Sequence, residues 1–411
     1  MKLRNLLFGT MIACAFVACS NDDDPISGGG ENGDGKTILT AQFDVPTATK
    51  AVDDSDNQIN SLHMLVFSNG SLEVIGELKQ GTTNVAEASV NLADKKVLML
   101  ANVDIPSDVR VGDTESAVFT ALSKAQALAF NETATALSMN SKLYTNVTVT
   151  PEKTNYLGWA TAPDGGVLVG GITDATSTVK LYRNAAKVVL TTIKAKEGYT
   201  DDVTRVPYKD PRLEVSNVYI LQANGYSKIA PGDGAVYGST ELTGNYISGA
   251  FLTASDIEGD MYALQTATLE NSYIAKIEGI ASKDNSVDVN KRFYVYENTS
   301  TARDASTLLV VAGTFSYENQ SGARVTVDGT RYYPIAIGQT KASFSEAANA
   351  LLDLRSVEAN TPGIYRNLQY NVSLTVVGPG YARPTGGGDP TMLDAKVEVV
   401  AYGEVNQDVE I

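Results

Sequence analysis

The chain has 411 residues, of which 48 are acidic and 32 are basic, so its formal net charge is −16 at pH 7. A nucleic-acid-binding protein needs basic surface, and this charge therefore argues against that class of function. The length suits two domains that each have an ordinary hydrophobic core.

The N-terminus has the pattern of a secretory signal peptide. Met1–Arg4 is short and basic, and an almost unbroken apolar run follows from Leu6 to Ala18. That run is too short to span a bilayer comfortably. It ends in Phe16-Val17-Ala18-Cys19, which resembles a bacterial lipobox, so residues 1–19 are predicted to be a lipoprotein signal with the lipid on Cys19. The alternative is a plain signal peptide with a coincidental cysteine.

Residues 20–50 begin as a polar tether. The acidic tract Asn21–Asp24 resembles the segment behind the cysteine of surface-exported lipoproteins, and it also reads as a solvated linker. Ser27–Lys36 is rich in glycine and has nothing to bury. The second cysteine, Cys14, lies inside the apolar run and would be lost with it. The mature protein then has no cysteine pair, so its core must hold it together.

Short apolar runs rich in Val, Thr and Tyr, separated by Gly and Asn, predict a β-rich chain after the tether. Asn69-Gly70 is a strong hairpin signal. Leu368–Val376 alternates cleanly between apolar and polar residues, which predicts a strand with one buried face. The other predicted strands are Ile59–Phe67, Lys96–Val103, Val167–Gly171, Val179–Ile193, Val215–Leu221, Arg292–Tyr296 and Leu308–Phe315.

Two segments have helical spacing, Ala117–Phe130 and Phe344–Leu354, and Ser343 followed by Glu346 predicts a capping box for the second. Many short strands with few helices predict β-sandwiches. The polar stretch Ala195–Pro211 is the best candidate for a domain junction. We therefore predict an all-β chain with sandwich domains at 51–196 and 197–411 and a few short helices.

The C-terminal segment 391–411 alternates up to its last residue, and a Gly-rich hinge, Pro384–Pro390, precedes it. Chain ends are normally frayed, whereas this one is patterned for burial. One interpretation is a final strand of its own sandwich. The other is a donor strand that completes a sheet in a neighbouring subunit. Repeated head to tail, such donation gives an open filament. The predicted inward residues of the donor strand are Val397, Val399, Ala401, Val405, Val409 and Ile411.

Several segments together resemble a known family. Val179–Leu190 (VKLYRNAAKVVL) is similar to the strand motif of the Bacteroidales fimbrillins, the subunits of type V pili. Leu98–Ile105, Phe293–Thr299 and Gly363–Tyr370 also look like fimbrillin segments in the expected order. Val405–Ile411 (VNQDVEI) is similar to the ends of polymerising subunits. The resemblance covers most of the chain from Ile38 onward.

The resemblance implies two transthyretin-like β-sandwich domains and a precursor route. A surface lipoprotein is cut by a trypsin-like protease after a basic residue, the first strand leaves, and another subunit's C-terminal strand takes its place. Here Thr37–Val45 would be the removable strand, and Lys50 and Ala51 would flank the cut. An exposed loop lysine is the competing interpretation of Lys50.

The resulting prediction is a structural subunit of a cell-surface fimbria that supports adhesion, with no enzyme activity. Its predicted partners are other fimbrial subunits, most simply copies of itself, the outer membrane through lipid on Cys19 in the precursor, and a host or bacterial surface receptor; nucleic acid is not among them. The alternatives are an anchor or tip subunit of the same fimbria and a monomeric glycan-binding surface lipoprotein. For the last, exposed aromatics such as Trp159 or Tyr381 could serve.

Three other signals are set aside. Gly30–Thr37 formally matches a phosphate-binding loop, but a tether precedes it and β-type sequence follows. His63 is the sole histidine. One histidine and no cysteine pair in the mature protein supply too few ligands for a typical zinc site. No nucleophile-elbow motif accompanies it. We therefore predict no catalytic residue, no metal ion and no cofactor.

Overall fold

β-Strands dominate the computed structural model of the chain, and the prediction of an all-β fold with few helices and sandwich-like packing is confirmed. The structure describes residues 36–44, 56, 58–125, 133–196, 199–200, 207–225, 227, 246–248, 267–269, 273–299, 306–353, 362–384 and 393–401. All of them lie within one compact unit, Gly35–Ile411.

The first sheet is formed by the strands of the N-terminal half. In the described part of the chain these are β1 (Thr37–Asp44), β2 (Leu62–Ser68), β3 (Ser71–Leu78), β4 (Val85–Val90), β5 (Lys95–Ala101), β6 (Met139–Asn140), β7 (Tyr144–Val147), β8 (Thr154–Leu157), β9 (Val167–Leu168), β10 (Val179–Lys180) and β11 (Tyr182–Arg183). Their order is β11-β6-β5-β2-β3-β4-β1-β8-β9, with β10 also beside β1 and β7 beside β5.

Three further sheets hold the remaining described strands. In chain order these are β12 (Ala186–Ala195), β13 (Tyr199–Thr200), β14 (Pro207–Leu221), β15 (Ala223–Asn224), β16 (Tyr246–Ser248), β17 (Ala267–Leu269), β18 (Ile274–Ala281), β19 (Val287–Val295), β20 (Leu308–Glu318), β21 (Arg324–Thr326), β22 (Arg331–Ala336), β23 (Leu368–Val376) and β24 (Leu393–Ala401). One sheet has the order β19-β12-β23-β24. The next has the order β13-β14-β20-β21 with β18 beside β14 and β22 beside β20, and the last is β15-β16-β17.

One of the helices in the described residues covers a sheet face. Helix α1 (Glu115–Ala125) packs on the outer face of the first sheet, where Val118 and Leu122 join Leu65 and Phe67 of β2 in one apolar cluster. The alternate residues of β2 face the main core, so β2 is buried on both sides. Helix α2 (Glu346–Asp353) follows a 3₁₀ turn at Lys341–Ser343.

Strand β23 confirms the predicted alternation, because every second residue from Leu368 to Val376 is buried and those between are half-buried. The main hydrophobic core takes its members from the first sheet, from the β12-containing sheet and from β14 and β20. One continuous core therefore links strands from both halves of the sequence.

The predicted strand Val179–Ile193 is three strands in the structure. β11 pairs with β6 of the first sheet, whereas β12 pairs with β19 and β23. The chain changes sheet between Arg183 and Ala186, and a single straight strand cannot do so. The predicted boundary at 196/197 stays a prediction, although β12 lies before it in sequence and pairs with strands after it.

One local prediction is wrong. Ser343 does not cap α2: its hydroxyl donates to the Thr340 carbonyl oxygen (2.9 Å), while Ser345 Oγ accepts from the Ala348 amide (3.2 Å). The domain junction in Ala195–Pro211 stays a prediction, and the last residues of that stretch, from Pro207 onward, belong to β14. Proline is tolerated at the first residue of a strand, where its missing N–H breaks no ladder bond.

Candidate strand-exchange site

Strand β1 lies inside the first sheet and not at its edge. Its residues pair antiparallel with β4, so that Ala41 lies opposite Ala86, and parallel with β8, so that Ala41 also neighbours Leu157. Its C-terminal end pairs with β10 at Phe43 and Val179. All these neighbours are distant from β1 in sequence. A segment from the start of the chain has thus been inserted between strands that come later.

The inward face of β1 is fully desolvated. Leu39 and Ala41 are 0% exposed and Phe43 is 2% exposed, and all three belong to the main core. Burying aliphatic or aromatic side chains of this size contributes about 1.5–3 kcal/mol each. The three positions give the site a profile of large, small and large side chains.

A buried polar network holds the N-terminal end of β1. The Thr37 hydroxyl donates to the Lys153 carbonyl oxygen at 2.6 Å and lies 3.2 Å from Asn155 Nδ2. The amide of Asn155, 0% exposed, also donates to the carbonyl oxygens of Thr150 (3.0 Å) and Lys153 (2.9 Å), and its Oδ1 accepts from the Thr150 N–H at 2.6 Å. Buried side-chain amides of this kind need several partners, and Asn155 obtains them by joining β1 to the turn before β8.

The C-terminal end of β1 is held more weakly and closer to solvent. Asp44 and Lys180 form an ion pair of 3.0 Å between side chains that are 55% and 41% exposed. The Leu181 N–H donates to the Asp44 carbonyl oxygen at 2.9 Å. Beside this end, Gly158 has φ +92°, and a Cβ there would lie 2.5 Å from the Gln42 carbonyl oxygen. Only glycine allows β8 and β1 to approach so closely.

Taking β1 away would expose a strand-shaped slot, which we call the β1 site and define by β4, β8 and β10. Two rows of main-chain donors and acceptors would lose their partners, and the core beneath Leu39, Ala41 and Phe43 would open. An unpaired edge next to exposed apolar surface is a template for another strand. The arrangement therefore suits β-strand addition.

Asp56 anchors the chain downstream of β1. Its side chain is 0% exposed and forms an ion pair with Lys187 on β12. The hydroxyl of Tyr294 donates to Asp56 Oδ1 at 2.6 Å, and Arg183 Nε donates to the Asp56 carbonyl oxygen at 3.1 Å. Sequence reasoning missed this site, because Asp56 stands in the run Asp53-Asp54-Ser55-Asp56, which has the composition of an exposed loop.

At the other end of the chain, β24 pairs antiparallel with β23 and forms the edge of its sheet. Ala395 and Val397 are half-buried against the main core, and Lys396 is exposed. Val397 lies opposite Val372, Val399 opposite Tyr370 and Ala401 opposite Leu368. In this structure of one chain, these predicted donor residues thus belong to a strand of their own subunit. Donation to another subunit stays a prediction.

Several predicted site residues lie outside the described residues. They are Cys19, Lys50, Ala51, Val405, Val409 and Ile411. Their roles in lipidation, processing and strand donation stay predictions.

The aromatic residues considered for glycan binding are half-buried. Trp159 lies edge-to-face against Tyr156 at 5.0 Å between ring centroids. Tyr381 shares a bridge with Tyr332 through two main-chain hydrogen bonds. Both therefore have packing or sheet roles. Among the residues that the structure describes, no group of three or more His, Cys, Asp or Glu side chains is placed to hold a metal ion.

The helices in the described part of the chain are short. None of them has both the length and the apolar character needed to cross a bilayer.

Comparison with known proteins gives consistent matches. Residues 38–204 match the family model described as "Major fimbrial subunit protein (FimA)". A Parabacteroides distasonis protein named as a candidate fimbrium tip subunit, Fim1C, is 27% identical over 241 residues, which cover 54% of this chain and 59% of that protein. The match thus spans less than two thirds of this relative's length.

Solved structures share the fold. A candidate cell adhesion protein from Parabacteroides distasonis superposes with a TM-score of 0.66 at 22% identity, covering 89% of this chain and 99% of that one. A fimbrilin (FimA) from Porphyromonas gingivalis W83 superposes with a TM-score of 0.61 at 19% identity, covering 90% and 99%.

Proposed function

We propose that this chain belongs to the fimbrillin family of fimbrial subunits, whose model residues 38–204 match, and that it is a polymerising shaft subunit of a cell-surface fimbria that matures by losing β1. The family match and the shared fold support a structural role. The observation that carries the proposal is the position of β1: a strand from the start of the chain fills an internal slot of the first sheet.

The connection after β1 suits proteolytic removal. Lys50 is the only lysine or arginine between Asp44 and Leu62, so a trypsin-like protease has a single target between β1 and β2. Upstream of that target lie β1 and the tether. Downstream, Asp56 is held by Lys187 and Tyr294. A cut after Lys50 would therefore detach β1 and leave a new N-terminus, Ala51, five residues before a buried anchor in the sequence.

The C-terminal strand is the proposed replacement for β1. Among the described strands, β24 has a hydrogen-bonded neighbour on one side, namely β23, whereas β1 has β4 on one side and β8 and β10 on the other. A strand that moves from an edge to an internal position gains a second ladder of main-chain hydrogen bonds and buries more apolar surface. Between identical subunits, this exchange builds an open filament.

The proposed route places the precursor at the outer membrane through lipid on Cys19, and the mature subunit in the fimbria after cleavage at Lys50. Its partners are other subunits of the fimbria and a receptor on a host or bacterial surface. A single lipid chain binds membranes only marginally, so anchoring of the precursor needs more than one acyl chain.

To test the proposal, the purified precursor is treated with a trypsin-like protease, and the N-terminus of the product is sequenced. Assembly is followed by SDS gel electrophoresis of unboiled samples. We expect an N-terminus at Ala51 and SDS-resistant ladders. Lys50→Ala should abolish both. Lys36→Ala is the matched control, because Lys36 is exposed directly before β1, and a cut there leaves β1 in place.

Deleting residues 393–411 should also abolish the ladders while the protein remains folded by circular dichroism. Normal ladders from that truncated chain, or from a chain that retains β1, would refute the proposal.

A tip subunit is the second candidate, because the 27% identical relative is named as one. A tip subunit occurs once per filament and need not donate a strand. Immunogold labelling of fimbriae separates the two: label along the whole filament supports the shaft role, and label at the end alone supports the tip.

A further inference from the structure

The sequence of β1 is similar to a segment near the C-terminus. Residues 37–44 read TILTAQFD and residues 391–398 read TMLDAKVE. Thr, Leu and Ala are identical at the first, third and fifth positions, the seventh is apolar in both, and the eighth is Asp in one and Glu in the other. The β1 segment lies in the first sheet, whereas Leu393–Glu398 begins β24.

We propose that Leu393–Glu398 of a second copy of this chain occupies the β1 site in the same direction and register as β1. Leu393, Ala395 and Val397 then take the places of Leu39, Ala41 and Phe43. This inference rests on the proposed function, and it adds the identity and the register of the inserted segment.

The large–small–large profile of the β1 site supports this register. The middle position holds Ala41, which is 0% exposed between Ala86 and Leu157. A register shifted by two residues would place Val397 or Leu393 there, and added volume in a filled core is destabilising. In the proposed register, Ala395 restores the alanine.

The polar ends of the β1 site support the same register. Lys180, which pairs with Asp44 in the present structure, would pair with Glu398. In the sequence, Thr391 aligns with Thr37, whose hydroxyl bonds to the Lys153 carbonyl oxygen. A shift by one residue would turn the apolar residues of the segment to the opposite face.

Leu393–Glu398 is paired on one side, and its described apolar residues are half-buried, where it lies in this structure. In β24, Ala395, Val397 and Glu398 are half-buried and Lys396 is exposed, and β23 is the only strand that pairs with it in the described residues. The corresponding β1 residues Ala41 and Phe43 are buried; Ala41 lies between the β4 and β8 ladders, and Phe43 pairs with Val179 of β10. The apolar residues Ala395 and Val397 are therefore half-buried at an edge, whereas the matching positions in the β1 site are buried.

The fourth position is a charge mismatch and supplies a sensitive test. Asp394 aligns with Thr40, which is 1% exposed and lies between Glu87 and Tyr156 in the ladders. A carboxylate there would lie beside Glu87, which already forms an ion pair with Lys79 at 2.6 Å. Desolvation and the like charge both oppose insertion. Asp394→Thr should therefore speed assembly.

Register is measured by disulfide trapping between two copies. Both cysteines of the sequence, Cys14 and Cys19, precede the proposed cut, so the mature chain offers a cysteine-free background. A copy with Ala86→Cys is mixed with a copy with Ala395→Cys, and both are cleaved and oxidised. Direct antiparallel partners come within disulfide range, whereas diagonal positions lie farther apart.

We expect a covalent dimer from this mixture that is lost on reduction, and little from Ala86→Cys mixed with Val397→Cys. A second cysteine pair tests the same register in case one variant of the first pair misfolds. Leu39 lies opposite Ala88, so Ala88→Cys should form a disulfide with Leu393→Cys. Covalent dimers that follow another register would overturn the inference.

The same samples separate this inference from the proposed function. SDS-resistant ladders without either expected disulfide overturn the register and leave the fimbrial proposal standing. The absence of ladders after complete cleavage refutes both. Faster ladder formation by Asp394→Thr supports the register, and slower formation contradicts it.

Discussion

Lys187 on β12 and Asp56 form an ion pair that is almost closed to water, with side chains 5% and 0% exposed. Tyr294 donates a second hydrogen bond to the same carboxylate. Burial lowers the pKa of Lys187, and the bond to Asp56 opposes that shift. Residue 56 is thereby tied to β12 and β19, six positions after Lys50. Under the proposed cleavage after Lys50, Asp56 would therefore stay fixed to the core.

Asp56→Ala should lower the free energy of unfolding by about 3–5 kcal/mol, because it leaves the Lys187 ammonium buried without its counter-charge. Urea denaturation of the full chain measures the change. Glu278→Gln is the matched control: its pair with Lys276 lies at the surface, and its urea midpoint should stay where it is. A variant at Asp56 as stable as the wild type would mean that the pair contributes nothing.

Thr37→Val should destabilise the precursor by about 1 kcal/mol, because the hydroxyl loses its bond to the Lys153 carbonyl oxygen. After cleavage at Lys50 the variant and the wild type have the same sequence, so their assembled forms must be equally stable. Thr314→Val, at an exposed position of β20, is the control for the substitution itself. A difference that persists after cleavage would show that β1 is not released.

The sequence predicted those elements whose pattern is local. The alternation of Leu368–Val376 requires one buried face, and β23 has it. The insertion of β1 between β4 and β8 could not be predicted from local patterns. β4 lies more than forty residues after β1 in the sequence, and β8 lies more than a hundred residues after it. The buried role of Asp56 could not be predicted for a related reason: an acidic residue in a polar run signals exposure, and its partner Lys187 is distant in sequence.

His63 should make the fold slightly weaker in acid. It lies on β2, and burial lowers its pKa, while the nearby charges of Glu77 and Asp104 act in the opposite direction. The unfolded chain then binds a proton more readily than the folded chain. The contribution to stability is complete above the usual histidine pKa of about 6.5 and is lost as the pH falls from there toward the lowered value.

The measurement compares urea midpoints at neutral and mildly acidic pH for the wild type and for His63→Gln. The wild type should lose more stability than the His63→Gln variant when the pH is lowered from neutral to mildly acidic. Because His63 is the sole histidine, NMR titration of one imidazole reports its pKa directly. A pKa at or above the usual value would contradict this account.

Gly158→Ala should loosen β1 more than a substitution at any ordinary turn glycine. The new Cβ would lie 2.5 Å from the Gln42 carbonyl oxygen, and the backbone at φ +92° is strained for any other residue. Gly165→Ala is the matched control, because Gly165 also has positive φ (+74°) but has open space around its Cβ position. The control measures the backbone strain alone, about 1 kcal/mol, and the excess at Gly158 measures the clash with β1.

That excess destabilisation by Gly158→Ala should be present in the precursor by urea denaturation. It should also persist in assembled subunits, because any strand in the β1 site presents a carbonyl oxygen at the same place. Equal losses for the Gly158 and Gly165 variants would show that β8 can move away from β1 without cost. The close approach of the two strands would then have no part in holding the exchanged strand.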